Sequence, residues 1–423
     1  MLDLKLIREQ PEAVVAGLQA KGISADIDRI LALDTEKREL QTRVEAVAAK
    51  KNVASATIAE QSTADRQRLL TELKELDRGS DPDRQRLQAV DTLLHDLLWA
   101  LPNLPTADVK IGKDESANEV VRSWGTPPTF SFAPKASWEI GPRLGVFDTE
   151  RAAKVSGTRF GYLTGPGAKI EFALLRFAME TLEREGFIPV IPPALIGAKA
   201  MDAMGYTMHG GTDETYYFER DDQYLVGTAE QSLGPMHRDE VFEAADLPRR
   251  YAGFSPCFRR EAGSSGKDTR GIFRVHQFDK VEMFSFTTPE QADAEHEVLL
   301  GLEERFLQAL ELPYQVVKMC TGDLGVPAAR KYDLEAWFPS ENRYRELTST
   351  STCTDWQARR LNIRYRQKKT PGVFFVHTLN GTAFSMNRPI CAILENHQQA
   401  DGSVVIPKAL QSFVGVDRIV PSP

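Results

Sequence analysis

From Ile27 to Ala100 the chain contains no proline or glycine except Gly79 and Pro82, and its apolar residues fall at alternating spacings of three and four. The first run places Ile30, Leu33, Leu40, Val44, Val47 and Ala54 on one stripe, with Lys37 and Lys51 filling the skipped steps. The second, from about Thr63, repeats the pattern with Leu69, Leu73 and Leu76, then Leu87, Val90, Leu94 and Leu97. A stripe this narrow cannot be the buried side of a globular helix, but it can seam two helices together. The small and polar residues between Ser55 and Thr63 supply a turn, so the pattern predicts an antiparallel coiled-coil hairpin spanning about 27–100. Arg78-Gly79-Ser80-Asp81-Pro82 interrupts the second run. Proline costs about 3 kcal/mol inside a helix, so a kink or short break is expected, with Ser80 or Asp81 capping a fresh helix. The stripe itself resumes in phase at Asp83 and Leu87. Such a hairpin can serve as an oligomerisation device, a spacer or an RNA probe, and the stripe does not choose among them.

Leu101-Pro102-Asn103-Leu104-Pro105 ends the helical region. A second domain, 106–423, then alternates helical stretches with β-rich runs such as Tyr251–Phe254, Val281–Phe286 and Val373–Val376. This is the pattern of an α+β domain around a mostly antiparallel sheet. No apolar run reaches the roughly 18 residues needed to span a bilayer. The opening Met1-Leu2-Asp3-Leu4-Lys5 has no secretory pattern, so a cytoplasmic protein is expected. Cys257, Cys320, Cys353 and Cys391 lack paired spacing, which points to free thiols and to no structural zinc. The formal charge is −8, so any nucleic-acid contact must come from local patches. Arg359, Arg360, Arg364, Arg366, Lys368 and Lys369 form one basic run, either a solvated face or a polyanion patch.

Four stretches could carry chemistry. The densest, Cys257 to Glu282, ends a strand in Arg259-Arg260-Glu261, passes through a glycine-rich loop and returns on a strand bearing Phe278 and Glu282. Arginine forks suit phosphate and carboxylate, although a surface hairpin laced with ion pairs has the same composition. The loop has neither the Walker nor the dinucleotide glycine pattern. In Glu346-Leu347-Thr348-Ser349 a carboxylate and a hydroxyl could share Mg2+, a hard cation that prefers oxygen. Asn380 to Asn396 reads as a small-residue strand turning into an amphipathic helix, with Arg388 at the junction able to stack on an aromatic ring. Thr228-Ala229-Glu230 follows a β-like run and also fits a simple helix cap.

In this order the stretches closely resemble the seryl-tRNA synthetase family, over nearly the whole chain from Met1 to Ser403. Motif 1 of class II synthetases resembles Glu185 to Pro193 (about 185–195), motif 2 Phe258-Arg259-Arg260-Glu261 through Glu282 (about 257–282), and motif 3 Gly381 through Glu395 (about 380–396). Asp268-Thr269-Arg270-Gly271, His276 to Glu282 and Gln357 to Tyr365 tighten the match. The resemblance implies a class II antiparallel-sheet catalytic domain at 106–423 and an N-terminal tRNA-binding domain at 1–105 that carries the coiled-coil arm. It implies an ATP site at Arg259, Arg260, Glu261, Val275, Phe278, Glu346, Leu347, Thr348, Ser349 and Arg388. Within it Arg259 and Arg388 are catalytic, Phe278 and Arg388 sandwich adenine, and Glu346 and Ser349 hold Mg2+. It implies a serine site at Thr228, Ala229, Glu230, Arg259, Glu282 and Thr382. The implied partners are L-serine, tRNA(Ser), with tRNA(Sec) as a further acceptor, and a second copy in a homodimer that binds tRNA across subunits.

Three departures stand out. Asn387 occupies a position where the family usually has a small residue, often glycine, and Pro389 follows the arginine. Gln231-Ser232 replaces the commoner Val-Pro, and Gly79 to Pro82 breaks the arm. These leave open a specialised, inhibitor-resistant second copy of the enzyme. An amino acid:carrier-protein ligase is the alternative enzyme, but it would lack the arm. A non-catalytic RNA-binding paralogue would be expected to lose Arg259, Glu282, Glu346 or Arg388, all of which are present.

Overall fold

A computed structural model of the chain describes residues 1–57, 62–262, 268–368 and 370–421. It divides into two compact units, Met1–Pro102 and Asn103–Pro423. Part of the expected turn at 55–63, the centre of the glycine-rich loop at 263–267, and Lys369 lie outside the described residues.

In the first unit two short helices, Leu4–Glu9 and Pro11–Ala20, precede the hairpin helices α1 (Ile27–Thr57) and α2 (Thr63–Trp99). Ile30, Leu33 and Leu40 of α1 and Val90, Leu94 and Leu98 of α2 are buried, as are Ile7, Val14 and Leu18 of the short helices. Farther out, Val44, Val47, Ala54, Leu69, Leu73 and Leu76 are only half-buried, because a two-helix seam has no third layer to cover it. The two lysines that interrupt the stripe reach across it. Lys37 pairs with Asp91, and Lys51 Nζ lies 2.7 Å from Asp77. Arg43 with Asp83 at 3.0 Å and Arg86 with Glu36 at 2.6 Å extend the ladder. Residues ascending α1 meet residues descending α2, so the ladder fixes an antiparallel register, the best-attested use of polar groups in such seams.

The expected break at Gly79–Pro82 does not occur: α2 is helical throughout, with Pro82 inside it. Gly79 and Pro82 both face solvent, so the lost N–H and the bulky ring fall on the outer side. Ser80 faces inward, buried, and its Oγ donates to the Asp77 carbonyl at 2.8 Å. Interhelical contacts therefore continue past the proline and offset its local cost.

The second unit opens with Asn103, whose Nδ2 donates to the carbonyls of Pro327 at 2.9 Å and Cys353 at 2.7 Å. Its main sheet has eight strands: β1 (Glu119–Trp124), β2 (Ile188–Val190), β3 (Arg249–Phe258), β4 (Gln277–Thr287), β5 (Tyr314–Lys318), β6 (Arg330–Phe338), β7 (Arg343–Thr352) and β8 (His377–Ser385). Their order is β1-β5-β6-β7-β8-β4-β3-β2, antiparallel except where β2 joins β3 in parallel. Helices α3 (Pro166–Arg184), α4 (Ala292–Ala309) and α5 (Asn387–Asn396) pack Ile170, Leu174, Leu299, Phe306, Ile390 and Leu394 into one core with Val281, Met283 and Leu334 of the sheet. Strand alternation sends Lys280 and Glu282 to the face opposite Val281 and Met283.

The β-rich run at 373–376 is a strand as far as Phe375, in a separate three-stranded sheet made of Val241–Glu243, Arg364–Gln367 and Thr370–Phe375. One sequence reading needs correction. The basic run at 359–369 is not one face. Arg360 is buried, donates to the carbonyls of Ala203 at 2.9 Å and Asp202 at 2.8 Å, and lies 4.4 Å over Trp356. Arg359 pairs with Asp355 at 2.7 Å, and Arg366 with Glu243 at 2.5 Å.

Candidate active site

Strand order gathers stretches that are far apart in sequence. β8 lies between β7 and β4, so Glu346–Ser349 of β7, Thr382 of β8 and the β4 residues Phe278, Lys280 and Glu282 converge. Arg259 immediately follows the last residue of β3, and Arg388 is the second residue of α5, which starts just beyond β8.

Two cavities open on this region. The smaller, about 190 Å³, is lined by Arg259, Glu261, Val275, Phe278, Glu346, Leu347, Thr348, Ser349, Thr382 and Arg388, all residues named from the sequence, together with Phe273, Lys280 and Lys331. Arg388 Nη1 donates to the Glu346 carbonyl at 2.9 Å and sits 3.1 Å from its carboxylate. Its guanidinium lies 5.1 Å from the Phe273 ring, and that of Arg259 lies 5.3 Å from the Phe278 ring. Glu261 accepts from Arg274 Nη1 at 2.8 Å. Burial alone would raise the Glu346 carboxyl, but the charges of Arg388 and Lys331 overrule it and hold the group down at about 2. Two planar cations, two aromatic rings and an ionised carboxylate suit a flat base with a polyphosphate tail.

The larger cavity, about 450 Å³, is lined by Thr228, Glu230, Arg259 and Glu282, and also by Tyr206, Asn380 and Cys353. Burial raises the Glu230 carboxyl, with Lys280 opposing. Burial likewise lifts Glu282 to about 7, again against the pull of Lys280. Glu230 Oε1 accepts from Asn380 Nδ2 at 3.2 Å and Gln357 Nε2 at 3.4 Å. Thr382 Oγ1 donates to Glu282 Oε2 at 3.4 Å. This end is built for a cation with a hydroxyl beside it.

Arg259, Lys280, Lys331 and Ser349 line both cavities. The lining shared at this junction is therefore rich in cations, while Glu261 and Glu346 line only the smaller cavity and Glu214, Glu230 and Glu282 only the larger. A molecule bearing an ammonium and a carboxylate can lie with its carboxylate at the junction, facing the phosphates of a nucleotide in the other cavity. A hard cation there could draw on the oxygens of Glu346 and Ser349, and also of Glu261, Thr348, Thr382 and Ser385, which line the same cavity. Among the described residues no set of three His, Cys, Asp or Glu side chains comes together to hold a metal, so such a cation would complete its shell with phosphate and water oxygens.

Arg260 and Ala229 line neither cavity. The Arg260 guanidinium lies 5.8 Å over Tyr216. Ala229 is fully buried, and a Cβ added at Gly253 would come within 3.1 Å of its own. Sequence reading missed Lys280, although it alternates with Glu282 on a strand already identified. It also missed Lys331, Phe273, Tyr206, Asn380 and Glu303. Glu303 of α4 is fully buried behind the site, where it accepts from Thr382 N at 2.9 Å and Thr348 Oγ1 at 2.8 Å; nothing local in the sequence marks it. Asn387, the unusual motif residue, lines the smaller cavity and also a neighbouring one of about 260 Å³ that contains Glu171 and Asp279.

Residues 1–105 match the family described as the seryl-tRNA synthetase N-terminal domain, and residues 216–397 match the tRNA synthetase class II core domain (G, H, P, S and T). The chain is 49% identical over 422 residues to a serine–tRNA ligase of Acidothermus cellulolyticus, with 100% of both chains covered. It is 47% identical over 423 residues to that of Thermobifida fusca, covering 100% of this chain and 99% of the relative. Among solved structures, the seryl-tRNA synthetase from Pyrococcus horikoshii complexed with ATP superposes with a TM-score of 0.92 at 40% identity, covering 100% of each chain. The cytoplasmic serine–tRNA ligase from Naegleria fowleri in complex with AMP gives 0.87 at 31% identity, covering 100% of this chain and 99% of that one.

Proposed function

The chain belongs to the seryl-tRNA synthetase family of class II and acts as a serine–tRNA ligase; from that premise we propose how its residues divide the reaction. ATP occupies the smaller cavity, its adenine between Phe278 and Arg388 and against Val275, with Glu261 and the Leu347–Thr348 backbone beside it. Arg259 holds the α-phosphate. Glu346 and Ser349 would hold Mg2+, which when bound would neutralise phosphate charge. Arg260 and Ala229 contribute by shaping the motif 2 strand end and the serine loop, since neither lines a cavity.

Serine occupies the larger cavity, its ammonium toward Thr228, Glu230 and Glu282 and its hydroxyl toward Glu282 and Thr382. A carboxylate oxygen of serine attacks the α-phosphorus as the bond to the pyrophosphate oxygen breaks, and pyrophosphate leaves with that electron pair. A hydroxyl of the terminal adenosine of tRNA then attacks the acyl carbon, and AMP leaves. Positioning and fixed charge supply the acceleration. Alanine is rejected because the buried groups that meet the serine hydroxyl would be left unpaired.

The N-terminal unit, with its arm, recognises tRNA(Ser), and tRNA(Sec) as a second acceptor, through RNA shape and backbone rather than base sequence. The working unit is a homodimer in the cytoplasm, with each arm serving the tRNA charged by the other subunit. No helix among the described residues is long and apolar enough to cross a membrane.

The observation that carries this reading is the cation-rich lining shared by two cavities that each carry carboxylates of their own. The test is exchange of labelled pyrophosphate into ATP without tRNA, run with serine, alanine, threonine, glycine and cysteine. Strong exchange with serine alone supports the assignment, and none with serine refutes it. A variant lacking the arm should keep this exchange and lose charging of tRNA(Ser) and tRNA(Sec) transcripts. Loss of both activities from a folded protein would refute the separate role of the arm.

A further inference from the structure

The acidic part of the larger cavity holds an ammonium group of the chain's own. Lys280 is buried, with its Nζ 2.5 Å from Glu282 Oε2 and 3.2 Å from Thr228 Oγ1. These are two of the groups assigned to the ammonium of serine. Lys280 and an incoming ammonium would compete for Glu282 Oε2, which also accepts from Thr382 Oγ1 at 3.4 Å, because two like charges on one oxygen repel. Glu230 and Glu282 are two buried carboxylates, and Arg259, Lys280 and Lys331 line the cavity with them.

We propose that Lys280 is a substrate-displaced cation of the adenylation step: the serine ammonium replaces it at Glu282, and its released head group moves to the junction of the cavities, beside the reacting carboxylate and α-phosphate. This rests on serine and ATP occupying the larger and smaller cavities. Lys280 lines both cavities, so the move is a rotation of a flexible stem that ends in a compact charge. The other cations at the junction are held by groups that line neither cavity. Lys331 is 3.0 Å from Asp333, and Arg259 Nε donates to the Gly227 carbonyl at 3.2 Å. As the new P–O bond forms and the bond to pyrophosphate breaks, the Lys280 head group stabilises the negative charge gathering on the phosphoryl oxygens. The step couples amino-acid binding to phosphate activation, because without an ammonium in the pocket the lysine stays on Glu282.

The competing view is a static counter-ion for Glu282, and the test separates the two. In the full-length protein, Lys280→Met should lower kcat for serine-dependent pyrophosphate exchange about 100-fold. It should leave serine binding without ATP at least as tight as wild type by calorimetry, because the internal competitor is gone. Lys280→Arg should recover part of kcat. A Lys280→Met variant with near-normal kcat and weakened serine binding would overturn the proposal. A measurement on the wild-type protein covers the case in which the variant does not fold. Acetylation of Lys280 by acetic anhydride, read by mass spectrometry, should increase when serine is added without ATP; no change or a decrease overturns the proposal. Wild-type protein showing no serine-dependent exchange would overturn the assignment of the site as well, whereas normal wild-type exchange with the adverse Lys280 results overturns only the displacement.

Discussion

Arg388 grips Glu346 at two points, donating from Nη1 to its backbone carbonyl at 2.9 Å and lying 3.1 Å from its carboxylate. One side chain thus fixes the position of the strand and keeps its carboxylate charged, while its plane stays over Phe273. Lysine has the charge but neither the fork nor the flat face. Arg388→Lys should therefore lower kcat/KM for ATP in pyrophosphate exchange by about 100-fold, or roughly 2.7 kcal/mol. Unchanged ATP kinetics in a folded variant would contradict the stacking role.

The two substrates should respond differently to pH. Burial lifts the Glu282 carboxyl to about 7, above its usual range, so the group is protonated below that pH and cannot balance an ammonium. Below about pH 7, kcat/KM for serine should fall up to about tenfold per unit. Glu346 is held at about 2 and stays ionised, so KM for ATP should remain flat from about pH 5 to pH 8. Glu282→Gln should remove the serine dependence while lowering kcat/KM throughout. An ATP profile that bends with the serine profile would contradict this division.

Glu303 is a further test, because it lies behind the site rather than in it. Burial pushes its carboxyl well above the ordinary range, and an amide has the same shape. Glu303→Gln can still accept from Thr382 N and donate to Thr348 Oγ1, and it should keep most activity. Glu303→Ala leaves the Thr382 N–H unpaired beside a void and should cost about 2–4 kcal/mol in chemical denaturation. Equal stability of the two variants would contradict the account.

Pro82 makes the arm less stable than its length allows. The helix passes through it, so Pro82→Ala restores one N–H and removes the ring clash. The arm should gain about 1–3 kcal/mol, read as loss of helical circular dichroism in urea, with no change in pyrophosphate exchange. Destabilisation would mean that the proline has a contact of its own.

The sequence by itself determined whatever depends on periodicity and local chemistry. The three-four stripe specified the hairpin, and strand alternation placed Glu282 opposite the core. The class II motifs marked most of the lining of the smaller cavity but only Arg259, Lys280, Glu282 and Asn380 of the larger, because the rest of that lining comes from stretches elsewhere in the sequence. Even Lys280 could have been found by the same alternation. Only the tertiary structure decided which groups meet across long separations. It turned Arg260 out toward Tyr216 and took Arg360 out of an apparent basic face and into the interior. It carried α2 through Pro82 because the opposite helix continued to supply contacts. It also brought Glu303 of α4 beneath Thr348 and Thr382. The physical reason is burial. A residue type and its spacing say which way a side chain points, but the desolvation, pairing and charge state of Glu282, Glu303 and Glu346 depend on distant residues packed against them.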